Sequence, residues 1–498
     1  MAEEHDDTYS HVLKYTGIFG GVQGLNIVIS LVRNKVVAYL LGPVGMGLTA
    51  LFNSVVNFVS QATNLGISFS AVRHISEYYD KGDEERIAHF VKVVRSWSLL
   101  TALIGMLVCI VAGPILNSKT FTWGDHTLHF IMLSPAVALL AINGGELAIL
   151  KGTRRLNSLA VIQVLSVVSA LIVSIPIFYF FSFAGIVPVI VLMTLIPTVL
   201  TLRYSLRLFP LKLGGAKGIL GEGMEMVRLG VAFVLAGIFG SGAEMLIRSY
   251  LNVTASLDTV GLYNAGFLLT VTYSGMVFSA METDYFPRLS ASSADARKMS
   301  DIVNRQIEVS FLLIAPMLAL LVLGLPILVP LLFTKDFSPM IPMAQVAVFS
   351  MYLKAISLPM SYTVLAKGDS LAYLLIEGFD SILMVGLIVA GYSRWGLWGT
   401  GLALDISYLV DLLIIYIYTS LRYEYRCSFQ VIQIVSLQLP LGLSVYILSL
   451  LGNSLLFWTI GGLLCFVSIG ITLYILHQKT SLWKALSEKA KSKFKRYA

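Results

Sequence analysis

The sequence predicts an all-α protein that crosses a membrane many times, and three observations predict it. The chain of 498 residues is 57% hydrophobic and 13% charged, against about 25% charged in soluble domains. Apolar runs of about 20 or more residues, enough to span a bilayer as a helix, follow one another along its length. They lack the segments of about 10 alternating residues that mark an outer-membrane barrel. The chain also repeats itself. Leu31-Val32-Arg33 is echoed by Leu246-Ile247-Arg248, and three further pairs fall 216 residues apart: Val44-Gly45 with Val260-Gly261, PILNSKTFT (114–122) with PLLFTKDFS (330–338), and Lys151-Gly152 with Lys367-Gly368. Two copies of one unit of about 200 residues, plus a C-terminal extension, account for this.

The elements follow in order. Span 1 (12–39) carries Arg33 and Lys35 near its end, and the Gly42-Pro43 turn stops it before span 2 (44–69). A connection with Arg73, Lys81, Arg86, Lys92 and Arg95 leads into span 3 (88–115), and Lys119 lies before span 4 (127–150). Lys151, Arg154 and Arg155 precede span 5 (157–181), which is followed by span 6 (184–203). Spans 7 (226–250) and 8 (260–284) copy the first two, with Arg248 nearly in the place of Arg33. Arg288, Arg297, Lys298 and Arg305 introduce span 9 (303–333), and Lys335 precedes span 10 (341–366). Lys367, Arg394 and then Arg422 with Arg426 punctuate spans 11 (370–392), 12 (395–420), 13 (429–450) and 14 (455–477). Several exceed 25 residues, which implies tilt or protrusion.

Of the 35 Lys and Arg residues, only Lys119, Lys335 and Arg394 fall in odd-numbered connections, and Arg33, Lys35, Arg248 and Lys354 lie deeper inside spans; all the rest sit in the tails and even-numbered connections or in the span ends next to them. The positive-inside rule then puts both termini in the cytoplasm, which requires an even number of spans. An even repeat of six spans keeps both copies in one orientation, related by a pseudo-two-fold axis along the membrane normal with a cleft between them. The expected organisation is a six-helix lobe (1–203), a cytoplasmic linker (204–225), a second six-helix lobe (226–420), two additional helices (421–477) and a basic amphipathic tail (478–498) lying on the anionic inner leaflet. The acidic, polar N-terminus MAEEHDDTYS does not read as a cleavable signal peptide.

Charges within spans mark function by default. Arg33 and Lys35 are two residues apart, about 200° around a helix, so only one looks easily into a cleft. The two-fold sets Arg33 opposite Arg248. Guanidinium groups bind phosphate bidentately and hold their charge at any relevant pH, so a facing pair suits an anionic ligand. The local alternative is an ion pair between Glu244 and Arg248, four residues apart, with Lys35 snorkelling outward. Glu146 near Lys151, Arg154 and Arg155, and Glu282 and Asp284 near Arg288, read as ion pairs at the rim. The second lobe holds Lys354, Glu377, Asp380, Asp405 and Asp411, with Lys354 and Asp405 deepest. Such a cluster serves either to couple transport to a proton or sodium gradient or to hold the lobe together.

Other chemistry is not indicated. The scattered Cys109, Cys427 and Cys465 suggest neither disulfides nor a metal site, the seven histidines have no metal-ligand spacing, and a phosphate-binding G-x-x-x-x-G-K-[ST] loop is absent. No cofactor and no enzymatic activity are expected. Asn252-Val253-Thr254 fits an N-glycosylation sequon, a common match. The net charge of +7 follows membrane sidedness, and no nucleic-acid partner is expected.

RNKVVAYLLGPVGMG (Arg33–Gly47) resembles the R-x-K-x-x-A-x-x-L-G-P-x-G-x-G turn of bacterial O-antigen translocases of the Wzx type, and ILKGTRRLNSLA (Ile149–Ala160) resembles their M-K-G-x-R-x-x-x-N-x-L segment. The wording matches mainly in the first lobe. In hydropathy the whole length of the chain resembles the flippase branch of the multidrug/oligosaccharidyl-lipid/polysaccharide exporter superfamily. The resemblance implies a flippase that moves an undecaprenyl-pyrophosphate-linked oligosaccharide across the bacterial cytoplasmic membrane by alternating access. Its implied partners are that lipid-linked substrate, membrane lipids, and polysaccharide polymerase and glycan-assembly proteins. By position it assigns Arg33 and Lys35, and Arg248 through the repeat, to the substrate's anionic groups. The family pattern does not cover Lys354 or the carboxylates of spans 11 and 12. The alternative is an ion-coupled drug exporter of the sister branch, against which spans 1 and 2 offer no acidic residue. A scaffold without transport would leave the arginines dispensable.

Overall fold

A computed structural model describes residues 2–121, 124–210, 219–292, 295–452 and 454–479. All regular structure among them is helical: α1 (Ala2–Thr63), α2 (Ile67–Asp80), α3 (Glu84–Thr120), α4 (Thr127–Gly152), α5 (Leu156–Phe181), α6 (Ile186–Leu208), α7 (Ile219–Thr254), α8 (Leu257–Phe267), α9 (Tyr273–Ala291), α10 (Ala296–Leu332), α11 (Ile341–Ala366), α12 (Ser370–Tyr423), α13 (Phe429–Ser449) and α14 (Leu455–Lys479). Nine stretches among the described residues are long and apolar enough to cross a membrane, and three of them, Gly24–Thr63, Asn157–Leu208 and Ser370–Tyr423, each cover two of the expected spans. The remaining expected spans, 7 and 8, correspond to α7 and to α8–α9 with the π-helical turn Leu268–Thr272 between them.

Local chemistry sets the breaks. Gly42 takes a φ of 61° inside α1, a conformation that favours glycine, and Pro43 follows without an N–H to donate. Gly396 breaks α12 in the same way at a φ of 58°. Expected span 2 ends early: Leu65 and Gly66 turn left-handed, so 67–69 open the separate helix α2. The expected linker is helical at both ends, since α6 continues to Leu208 and α7 begins at Ile219. The amphipathic tail lies almost wholly outside the described residues, as do the side chains of Glu282 and Asp284.

Turns alternate between two ends of the bundle. One, the basic end, carries Lys81, Arg86, Arg154, Arg297, Lys298 and Arg422; the other carries the Gly42-Pro43 turn and the Gly396 break. Aspartates cap helices at the basic end. Asp83 accepts from the Arg86 N–H, Asp295 from Arg297 and Lys298, and Asp369 from Ala372. At the opposite end the two copies of the repeated turn meet. A Cβ on Gly47 would lie 2.1 Å from the Leu257 carbonyl oxygen, and one on Gly261 1.9 Å from that of Pro43. This backbone-to-backbone approach of α1 and α8 joins the two repeats at that end.

Candidate functional site

Beneath the closed turns lies a cavity of about 390 Å³ whose lining includes Arg33, Asn34, Asn53 and Met193 from the first repeat and Glu244, Arg248 and Asn264 from the second. Arg33 and Arg248 thus share one cavity. Arg33 donates to the Met193 thioether at 3.4 Å, a weak acceptor, and its Nε has no partner. No carboxylate pairs with it among the described residues. Arg248, 8% exposed, donates to Glu244 at 2.8 Å and to the Asn264 carbonyl oxygen at 3.2 Å, and its Nε is also unpartnered. The local ion pair and the cavity position therefore both hold for Arg248.

Glu244 and Arg248 also line a second cavity of about 450 Å³, together with Tyr263, Lys354, Glu377, Asp380 and Tyr408. A third of about 200 Å³ shares the last four and adds Ser357, Tyr373 and Asp411. The three form one polar tract from the repeat-1 arginine to the carboxylates of the second half. Inside it the Lys354 ammonium lies 5.6 Å from the centre of the Tyr408 ring, and Ser407 donates to Asp380 at 2.9 Å. The sequence thus pointed to four members of one cluster: Lys354, Glu377, Asp380 and Asp411.

Two expected residues lie elsewhere. Lys35 does not line these cavities. Its ammonium crosses to the other repeat and donates to the carbonyls of Pro330, at 3.0 Å, and Phe333, where α10 ends. Helix C-termini leave such carbonyls unpaired, and a cation suits them. Asp405 is not beside Lys354 either. It lies six residues nearer the Gly396 break than Asp411, with Oδ1 unpartnered. The rim partner expected for Glu146 is also wrong. Lys151, Arg154 and Arg155 are exposed, and Arg95 of α3 takes both Glu146 oxygens, at 2.8 and 3.3 Å. Arg95 further donates to Ser205 at 3.1 Å and to the Phe209 carbonyl at 2.8 Å, fixing α3, α4 and the end of α6 together.

The sequon is spent on structure. Asn252 is 4% exposed and its amide donates to the Thr120 carbonyl at 2.7 Å, where α3 ends. This contact, absent from the sequence reading, mirrors that of Lys35. In each case the last turns of one repeat's first helix cap the C-terminus of the other repeat's third span. At the basic end the repeats touch through His89 and Glu222, 3.0 Å apart, and through Trp97, which leaves no room for a Cβ on Gly223. Outside the spans, the Asp369 carboxyl is held below its ordinary range by the Tyr418 hydroxyl at 2.7 Å, helped by the Ala372 N–H and by Tyr423 at 3.0 Å. Among the described residues no group of His, Cys, Asp and Glu is arranged to hold a metal ion.

No curated protein sequence matches the chain. Among solved structures, an inward-facing multidrug resistance MATE family transporter of the MOP superfamily superposes with a TM-score of 0.67 at 16% identity, covering 80% of this chain and 94% of that one. The lipid II flippase MurJ in an inward closed conformation superposes with a TM-score of 0.62 at 15% identity, covering 94% and 99%. A MOP superfamily transporter from Pyrococcus furiosus, described as having a binding pocket of reverse polarity, gives 0.62 at 14% identity over 82% and 96%. These likenesses establish the fold. The sequence profile of the family described as polysaccharide biosynthesis protein matches residues 12–293. That is more than half of a multi-pass membrane chain with a MOP-type transporter fold, and the protein belongs to this family.

Proposed function

We propose that the protein is a flippase that carries an undecaprenyl-pyrophosphate-linked oligosaccharide, an O-antigen or related surface-polysaccharide repeat unit, from the inner to the outer leaflet of the bacterial cytoplasmic membrane. The observation that carries this reading is Arg33: a half-buried guanidinium with no carboxylate partner among the described residues, in one cavity with Arg248. A buried unpaired cation is costly unless an anion completes it, and pyrophosphate matches the guanidinium fork. Fourteen spans in two six-helix lobes plus two more, with both termini cytoplasmic, complete the proposed topology. The turn end then faces outward, and the Lys35 and Asn252 ties hold it shut in the inward-accessible state. Alternating access requires that they break. The polyprenyl tail stays in lipid while the glycan and pyrophosphate occupy the polar tract, and the Lys354 cluster is placed to take up or release a proton or sodium ion.

The second reading, an ion-coupled drug exporter, draws on that same cluster, since carboxylates joined to the central cavity suit cationic drugs. A deletion strain separates the two. Loss of a surface polysaccharide with its lipid-linked repeat unit accumulating inside supports the flippase, and the accumulated glycan names the cargo. Unchanged glycans with raised sensitivity to cationic drugs moves the protein to the exporter reading. Normal glycan with R33A and R248A at normal protein level sinks the phosphate role.

A further inference from the structure

The second segment of α1 carries polar residues four apart: Thr49, Asn53, Asn57 and Gln61. At that spacing they share one helix face, which runs about 18 Å at 1.5 Å per residue, more than half of a hydrocarbon core about 30 Å thick. The face is not inherited with the repeat, because the positions 216 residues on hold Ala265, Leu269, Tyr273 and Val277. Nor is it spent on packing. Thr49, Asn53 and Asn57 line the arginine cavity. Asn53 donates its amide to the Thr49 carbonyl, while Asn57 and Gln61 are exposed and bond no other described residue. Gln61 lies against α7 of the other repeat, where a Cβ on Gly237 would lie 3.3 Å from its carbonyl oxygen. A second, independent observation points to a ligand in the same cavity. Ser174 of α5 lines it, is 0% exposed, and its hydroxyl has no partner.

Amides at membrane depth are costly unless they meet polar partners. These both donate and accept without carrying charge, which suits sugar hydroxyls and acetamido groups and gives nothing to a phosphate that the arginines do not give better. We propose that the Thr49–Asn53–Asn57–Gln61 face is a track for the uncharged saccharide. An anionic linkage held at Arg33 and Arg248 lays its first sugars along Asn53 and Asn57, with the glycan extending past Gln61 toward the basic end. The track sets the difference between a glycan-bearing carrier and a bare one. It rests on the flippase reading above.

The test uses the full chain in lipid nanodiscs and two probes: undecaprenyl pyrophosphate, and undecaprenyl pyrophosphate bearing a short neutral N-acetylated oligosaccharide. The wild type binds the second more tightly. The N57L/Q61L double variant loses that increment, about tenfold for one or two hydrogen bonds to an uncharged ligand, and binds the bare carrier as before. R33A weakens both. N57A/Q61A repeats the measurement with less added apolar surface, and its thermal unfolding shows that the fold is kept. Double variants that retain the full increment while R33A weakens both probes overturn the track and leave the flippase standing. A wild type that binds neither probe overturns the flippase reading and the track with it.

Discussion

Replacing Lys35 with methionine should open the turn end. The ammonium bridges the Pro330 and Phe333 carbonyls of the other repeat, so its bonds exist only while the two repeats are closed there. Hydrogen bonds to a charged group are worth about 1.5–3 kcal/mol net of water, and the α10 terminus adds a favourable dipole. The half-buried site loses some of this to solvent, which leaves about 2–3 kcal/mol favouring closure. That is roughly a 30- to 150-fold shift between closed and open populations. Methionine preserves the apolar stem and removes only the charge. A reporter cysteine at Val260, which is 0% exposed between α8 and α1, reads the opening in a background lacking Cys109, Cys427 and Cys465. In the proposed topology, a membrane-impermeant maleimide added from outside should modify it tens of times faster in K35M, and K35R should return the rate toward that of the wild type. N252L removes the reciprocal, uncharged tie to Thr120 at about 0.5–1.5 kcal/mol and should accelerate labelling less, roughly three- to tenfold. An unchanged rate in K35M, or a larger effect from N252L, would refute the assignment of Lys35 as the stronger tie.

Three further outcomes follow from the structure. E146A or R95A leaves a buried charge without its partner and should cost about 3–5 kcal/mol, read as a loss of folded protein at 37 °C, whereas E146L/R95M should unfold later on heating than either single variant. Gly261→Ala drives a methyl group into the Pro43 carbonyl, 1.9 Å from the new Cβ; a monodisperse protein with wild-type thermal stability would contradict the close approach. Asp369, with its carboxyl below the ordinary range in the folded protein, contributes stability above its unfolded pKa of about 3.9 and loses it as pH falls through the folded value. Protection factors of the amides at the N-terminus of α12 should therefore fall below about pH 4 in the wild type, and in D369N they should be low already at neutral pH.

Periodicity told which residues share a helix face, but not which neighbour that face meets. Arg33 and Lys35 diverge by about 200°, so the pair predicts one cavity residue. Only the packing shows that it is Arg33 that looks inward while Lys35 turns to α10. Glu146 was given nearby cations, yet its partner Arg95 lies 51 residues away on another helix, and no local rule selects it over Lys151. Asp405 and Asp411 looked alike because both are carboxylates in one apolar helix; six residues of separation put them in different surroundings. The two ties between the repeats were hidden for a more particular reason. A copy of Lys35 in the register of the Arg33–Arg248 echo would fall on Tyr250, and the residue that performs its task is Asn252, two positions further. The first helix of each repeat keeps its role while the side chain and register change. A search for repeated letters therefore finds the shared turn that brings the halves together and misses the contacts that latch them. The consequence is physical. A pair of identical lysine latches would close the bundle more tightly than one charged and one neutral tie, and under the proposed alternating access both must release in every cycle. The mismatch between Lys35 and Asn252 thus lowers the free energy that opening requires, without giving up either point of closure.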